Sequence, residues 1–369
     1  MEVQVKQLRE TLELLSPAVP KKSAIKALSY VRLGEGKAVA TDLEVAVAVD
    51  LNGADEDLLL PPKDAMGFLR YAPGVGSARI TGSKDRVTIT TGGMEATFDE
   101  VPSAEDFPPL PQVSPENNGV IDGDVLVKAL AAVSTYAAGV STRPVLNGVY
   151  LNTEDGLEVV AADGFRLAWE PVAGRLNIPP TIVPAKAVAV LEHLWKRAAA
   201  AELSGVEDIA GLAFARRLIR VGCDKGLLKL SFATVGLTMK TPEGTFPSYR
   251  QLIPSETVNP IAVFAPDMER AIAQVMPVAA KGKGVVRLRW EEGRLLASAR
   301  DDGTEVAVPV QAQFEESGRT ALNIHYLTEY FKGRSGFVTM SPSPGGQGPV
   351  LFTCQGRPHV LIMPMFVQW

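Results

Sequence analysis

Apolar residues recur at three- and four-residue spacing in several short stretches of the chain. Leu8, Leu12 and Leu15 make one stripe, Leu126, Ala129, Leu130 and Val133 a second, and Met268, Ile272, Val275 and Met276 a third. Such spacing places the side chains on one face of a helix, and that face seeks a core. A second helical segment follows each stripe: "PPKDAMGFLRYA", "VPAKAVAVLEHLW" with Val188, Leu191 and Leu194 in phase, and "LNIHYLTEYFKG". Between and after the helices the pattern changes to alternation and β-branched runs punctuated by Gly and Asp. "RVTITTGGMEATF", "LLKLSFATVGLTMKT" and "PVLFTCQGRPHVLIMPM" read as hairpins.

One phrase appears three times: "ATDLEVAVAVD" from Ala40, "AADGFRLAWEP" from Ala161 and "ARDDGTEVAVPV" from Ala299. From its Asp to the start of the second helical segment is 20 residues (Asp42 to Pro62), 21 (Asp163 to Pro184) and 21 (Asp302 to Asn323). Near-constant offsets signal an internal repeat, and Asp followed by Gly or Leu between apolar runs marks a turn between strands. Pro-rich joints, "FPPLPQVSPENNG" and "FPSYRQLIPSETVNP", separate the repeats. They predict three α+β domains at 1–118, 119–257 and 258–369.

Composition narrows the function. A chain of 369 residues with 46% apolar and 21% charged residues can bury a large core. No stretch approaches the roughly 18 apolar residues of a membrane span. The start, "MEVQVKQLRE", lacks the layout of a secretory signal, so a cytoplasmic location is expected. Cys223 and Cys354 fit no metal spacing and read as reduced thiols. His193, His325 and His359 are scattered, no nucleophile elbow occurs, and "APGVGSAR" after Tyr71 lacks the Lys of a phosphate-binding loop. Asp301 and Asp302 are adjacent, so in a strand their side chains diverge and a turn role fits better than acid–base work. Neither catalysis, a metal nor a cofactor is expected.

At five blocks in order the chain resembles the bacterial DNA polymerase III β subunit, the sliding clamp family: "RPVLNGVYL", "AADGFRLA", "IVPAKAVAVLEHL", "EGTFPSYRQLIP" and "VLIMPM". The resemblance implies a head-to-tail homodimer closed into a ring of repeated clamp domains, helices lining the hole and antiparallel sheets outside. It implies a non-catalytic processivity factor that encircles double-stranded DNA without reading its sequence. Charge agrees: the six helical segments with their flanks carry 17 Lys and Arg against 9 Asp and Glu, in a chain of net charge −5. Basic groups that meet backbone phosphates carry no sequence information, which suits sliding. By family position Lys22 and Lys186 are the first DNA-contact candidates and Arg143 the next; helix placement adds Arg9, Lys128 and Lys281.

The resemblance also implies a cleft that takes a short extended motif with apolar ends from the polymerase III catalytic subunit, the clamp loader and other partners. Its matching positions are Leu146, Ala162, Gly164, Phe165, Arg166, Leu167, Pro247, Gln251, Leu252, Tyr326, Leu361, Met363, Pro364 and Met365. Leu, Met and Pro walls accept aliphatic and aromatic anchors, and a polar group such as Arg166 is expected to fix the direction of the peptide. The alternative for Leu167, Leu361 and Met363 is ordinary core packing. Two departures stand out: Gln251 where many family members have Arg, and the tail "FVQW", Phe366 to Trp369, expected to tune or partly cover the cleft. A clamp-like paralogue acting as an interaction scaffold or competitor, without encircling DNA, is the rival function.

Overall fold

The computed structural model of the chain describes residues 1–113, 118–139, 143–203, 217–254, 256, 258–344 and 348–369. Among the described residues one string of elements, β-α-β-β-β-β-α-β-β-β, occurs three times. The first pass is β1 (Glu2–Gln4), α1 (Val5–Leu15), β2 (Val31–Gly34), β3 (Lys37–Thr41), β4 (Val45–Asp50), β5 (Leu58–Leu60), α2 (Pro62–Leu69), β6 (Ser77–Ser83), β7 (Arg86–Thr91) and β8 (Met94–Phe98). The second is β9 (Asn118–Asp122), α3 (Gly123–Ser134), β10 (Gly148–Asn152), β11 (Leu157–Ala162), β12 (Arg166–Val172), β13 (Thr181–Pro184), α4 (Ala185–Leu203), β14 (Leu218–Asp224), β15 (Leu227–Phe232) and β16 (Val235–Lys240). The third is β17 (Ile261–Phe264), α5 (Ala265–Lys281), β18 (Val285–Glu291), β19 (Arg294–Asp301), β20 (Thr304–Gln313), β21 (Gly318–Asn323), α6 (Ile324–Phe331), β22 (Phe337–Ser341), β23 (Val350–Thr353) and β24 (His359–Ile362).

The apolar stripes account for the helices. Leu8, Leu12, Leu15, Leu126, Leu130, Val133, Met268, Ile272 and Val275 are all buried, as are Val188, Leu191 and Leu194 on α4. α4 runs on to Leu203, past the quoted segment that ends at Trp195, through an alanine-rich stretch that favours helix on propensity alone. The three hairpins also form, as β7–β8, β15–β16 and β23–β24. Gly92 and Gly93 turn the first with φ of 55° and 77°, the left-handed pair that a two-residue hairpin turn requires.

The chain divides into two compact units. The first comprises Met1–Ala131, Tyr150–Leu157 and Val172–Gly244, the second Ala132–Val149, Glu158–Pro171 and Thr245–Trp369. Two ladders explain why three repeats give two units. In the first unit β4 pairs antiparallel with β16, Val45 opposite Met239 and Val49 opposite Val235. In the second, β12 pairs antiparallel with β24, Arg166 opposite Ile362 and Trp169 opposite His359. The central repeat is thereby shared between the units. β9 starts at Asn118, the residue expected to end the first domain, and residue 257, the expected second boundary, lies outside the described residues.

The repeated phrase is a strand-to-strand turn each time, with different chemistry at the third. Asp42 Oδ1 accepts the N–H groups of Glu44 (3.0 Å) and Val45 (2.8 Å). Asp163 Oδ1 accepts those of Phe165 and Arg166, both at 2.9 Å. A single left-handed residue follows each Asp, Leu43 (φ 77°) and Gly164 (φ 96°). In the third turn Asp302 and Gly303 both have positive φ, 36° and 80°. Asp301 is there the cross-strand partner of Thr304, so Asp301, and not Asp302 as the offsets suggested, occupies the place of Asp42 and Asp163.

Candidate functional site

The cleft candidates all fall in the second unit, and the Asp163 turn organises most of them. Gly164 allows the tight reversal, and the turn presents Phe165 outward at 62% exposure. Met363 N–H donates to Phe165 O at 2.8 Å, extending the β12–β24 ladder beyond β24 into the C-terminal segment. Within that ladder Leu167 faces Leu361, and both are buried, as is Leu146. Leu167 and Leu361 therefore belong to the packed interior of the ladder. The exposed apolar side chains among the candidates are Phe165, Met363 and Leu252, with Pro247 exposed five residues before Leu252. Met365 N–H then donates to Ala321 O on β21 at 2.8 Å.

Arg166 is held inside a network. Only 8% of its side chain is exposed. Its Nε donates to Asp163 Oδ2 at 2.8 Å, one terminal nitrogen donates to Glu329 on α6, and the other donates to the Thr135 carbonyl at 3.4 Å. The guanidinium lies against the Tyr136 ring, 5.1 Å from its centroid, and the Tyr326 ring, 4.7 Å from its centroid. Burial by itself would lower the guanidinium pKa, but Glu329 and Asp163 outweigh it and hold the group above its ordinary value. Burial likewise raises the pKa of Tyr136 and Tyr326, keeping both phenols protonated. Arg334 continues the series, donating to Tyr136 Oη at 3.2 Å and lying 4.0 Å from the Tyr330 ring centroid. Three of its five N–H donors are thus engaged within the protein, so Arg166 is held in place beside the Phe165 turn.

The structure thus brings together Ala162, Gly164, Phe165, Arg166, Leu167, Tyr326, Leu361 and Met363. Pro247, Gln251 and Leu252 lie around a short turn, Arg250–Leu252, and are exposed. Among the described residues no hydrogen bond, ion pair or ring contact ties them to the Arg166 turn. Asp163, Tyr136, Glu329 and Arg334 were missed by sequence reasoning. Asp163 had a local signal, three residues before Arg166 in the quoted phrase, whereas Glu329 is 163 positions away. The tail ends with Trp369 over Arg319 on β21, 4.8 Å to the ring centroid, and Phe366 is 95% exposed.

The basic candidates sit on or beside helices. In the first unit Arg9 is on α1, Lys22 follows α1, Lys128 is on α3 and Lys186 opens α4. In the second, Arg143 precedes the turn Pro144–Leu146 and Lys281 ends α5. Lys22, Lys128, Arg143 and Lys281 are exposed and Arg9 is half-buried. Lys186 is engaged: Nζ donates to Asp42 Oδ2, with half the lysine side chain exposed and Asp42 at 9%. Burial pushes the Asp42 carboxyl pKa up, but Lys186 and the two backbone N–H groups prevail and hold it below its ordinary value. Among the described residues no cluster of His, Cys, Asp and Glu could hold a metal, and no helix is long and apolar enough to cross a membrane.

Residues 120–248 match the family model for the central domain of the DNA polymerase III beta subunit. The beta sliding clamp of Streptomyces coelicolor is 30% identical over 285 residues, covering 74% of this chain and 70% of that protein. The chain belongs to the beta sliding clamp family. The beta sliding clamp of Synechococcus elongatus is 26% identical over 383 residues and spans 97% of both proteins. The crystal structure of the Pseudomonas aeruginosa DNA polymerase III subunit beta superposes with a TM-score of 0.85 at 21% identity, covering 100% of each chain. Sliding clamps are non-catalytic accessory subunits of DNA polymerase III, and the chain has that role in DNA replication. Similarity along nearly its whole length favours it over the scaffold alternative.

Proposed function

We propose that two copies of the chain join head to tail into a ring that encircles duplex DNA and carries polymerase III and its loader on the Phe165–Met363 cleft. The three repeats act as three clamp domains, with limits near 118 and 257, and the protein works in the cytoplasm on the nucleoid. The observation that carries this reading is how the chain joins its own repeats. Twice, the fourth strand of one repeat pairs with the last strand of the next, β4 with β16 and β12 with β24. The third repeat's counterpart, β20, pairs with β19, and β17 takes only Ala312 and Gln313 at its far end. The first repeat's last strand, β8, ends its sheet beside β7. One edge is left over at each end of the series, and unpaired edges are costly. Head-to-tail association of two copies lets each β20 meet the other's β8, so the contact closes instead of propagating.

Attachment to DNA then comes from threading. Exposed Lys22, Lys128, Arg143 and Lys281 supply backbone-phosphate contacts, which can be exchanged step by step along the duplex. Loaded onto nicked circular DNA, the protein is expected to stay bound through a salt wash and to be released once that DNA is linearised. Equal loss from circular and linear DNA would overturn the ring.

A further inference from the structure

The proposed cleft of the second unit has a counterpart in the first, built from the same places of the repeat. In the second unit Met363 N–H donates to Phe165 O beside the Asp163 turn; in the first, Lys240 N–H donates to Glu44 O at 2.9 Å beside the Asp42 turn. A Phe–Pro segment closes each of the first two repeats, at Phe107 and Phe246. Around the Asp42 turn these parts enclose a cavity of about 150 Å³, bordered by Leu43, Glu44, Pro108, Pro109, Thr238 and Lys240. It shares Ala46, Pro111 and Thr238 with a second cavity of about 240 Å³ that reaches Lys37, Asp50 and Lys229. The two make one groove along the β4–β16 ladder. Its floor consists of small side chains, because the strands turn Val45, Val47, Val49, Leu237 and Met239 into the core and leave Ala46 opposite Thr238 and Ala48 opposite Gly236 on the other face. Lys37, Lys229 and Lys240 line the groove against two acids, Glu44 and Asp50, and among the described residues none of the three lysine side chains makes a hydrogen bond or an ion pair. Thr238 is 8% exposed and borders both cavities, yet its hydroxyl has no hydrogen-bond partner among the described residues. A hydroxyl buried to that extent is ordinarily paired, and here it faces the groove.

We propose that this groove binds a short extended segment of a partner protein that carries an apolar residue and, a few positions away, acidic residues. The apolar side chain packs at the Leu43–Pro109 end, where Leu43 is 44% exposed. The carboxylates meet Lys37 and Lys229 at the other end, and a main-chain group of the segment pairs with the Thr238 hydroxyl shared by both cavities. β16 supplies six residues, Val235–Lys240, which span about 17 Å at roughly 3.3 Å per residue, so a segment of about six extended residues matches the groove. The occupant differs from the one proposed for the second unit. There Phe165 and Met363 present apolar surface, whereas Glu44 and Lys240 stand at the corresponding positions here. A wholly apolar motif would leave both charges facing it unpaired, so the two sites select different partners. The mode of binding rests on the cleft reading; the residues all belong to the first unit.

The test is selection of phage-displayed random octapeptides on the full chain, followed by fluorescence anisotropy of the recovered sequences as labelled synthetic peptides. Wild type is compared with Gly236→Val, which fills the floor, with Lys229→Glu, with Thr238→Val, and with Phe165→Ser, which alters only the second unit. A Cβ on Gly236 meets nothing nearer than 3.9 Å, so the strand accommodates the valine and its side chain stands in the groove. One class of recovered peptides is expected to combine an aliphatic or aromatic residue with Asp or Glu. That class is expected to lose affinity about tenfold or more in Gly236→Val and Lys229→Glu, about fivefold in Thr238→Val, and not at all in Phe165→Ser. Added salt is expected to weaken it. The groove is overturned when no recovered peptide distinguishes wild type from Gly236→Val, and equally when those that do carry no acidic residue. Peptides that all depend on Phe165 overturn the groove and leave the cleft reading standing; groove-dependent peptides without any that depend on Phe165 do the reverse. Unchanged circular dichroism and melting of each variant separate a lost groove from a lost fold.

Discussion

The two joints within the chain use one backbone plan and two kinds of electrostatics. At β4–β16 a single lysine, half of it in solvent, reaches one carboxylate. At β12–β24 an arginine with 8% of its side chain exposed is fixed by Asp163, Glu329, a backbone carbonyl and two tyrosine faces. The first pair can exchange its lysine for water or a phosphate at small cost. The second cannot, because removing Asp163 or Glu329 leaves the arginine, with 8% of its side chain exposed, underpaired in a place water hardly reaches. The more heavily bonded joint is the one that carries the proposed cleft. Preorganised walls lower the ordering penalty when an extended peptide docks, which gives the buried arginine a use that strand pairing alone does not explain.

This contrast can be broken from either side. The largest effect is expected for Arg166→Met, which leaves the largely buried Asp163 without its ion pair and removes the filling between the two rings. A loss of about 3 kcal/mol is expected by urea unfolding, with affinity for a fluorescein-labelled, leucine- and phenylalanine-containing pentapeptide falling together with it. A fully stable variant would mean that the network is decoration on the ladder. Next comes Tyr136→Leu, expected to cost about 1–2 kcal/mol through one lost cation–aromatic face and an unpartnered Arg334 donor. Tyr136→Phe keeps the face and should retain most of that stability; equal losses in the two variants would assign the effect to the hydroxyl.

Lys186→Gln sits at the small end, below about 1 kcal/mol at neutral pH, because the lysine end of the pair is half in solvent and a glutamine amide can still donate toward Asp42. Its signature lies in acid. The Asp42 carboxyl is held below its ordinary pKa in the folded chain. Its contribution is therefore complete above the unfolded value, near 3.9, and is lost as pH falls through the lowered folded value. Without Lys186 the burial effect is less opposed, so the Asp42 pKa rises and acid unfolding begins at higher pH. Carboxyl-detected NMR titration of Asp42 would check the direction, and an unshifted titration would show that the backbone N–H groups alone set it.

Much of the architecture was legible because periodicity is local. Helix stripes such as Leu8–Leu12–Leu15 and the Gly92–Gly93 hairpin follow from rules that span fewer than ten residues, and the recurring Asp phrase exposed the threefold repeat. The same local reading placed the third turn one residue late, since composition does not separate Asp301 from Asp302; backbone handedness does. It also assigned Lys186 to DNA and Arg166 to peptide recognition by position in a family. What no local reading could show is that both side chains also pair with residues 144 and 163 positions away.

The amino-acid sequence by itself determined the elements, their threefold order, the absence of any recognisable catalytic motif and, through five ordered blocks, the sliding clamp family. Only the tertiary structure decided which strand edges are joined, which are left over, and which charges those joints hold together. The reason is geometric. A helix or hairpin is specified by neighbours along the chain, whereas an ion pair across a joint depends on strand order, and strand order brings together residues that no short window of sequence contains.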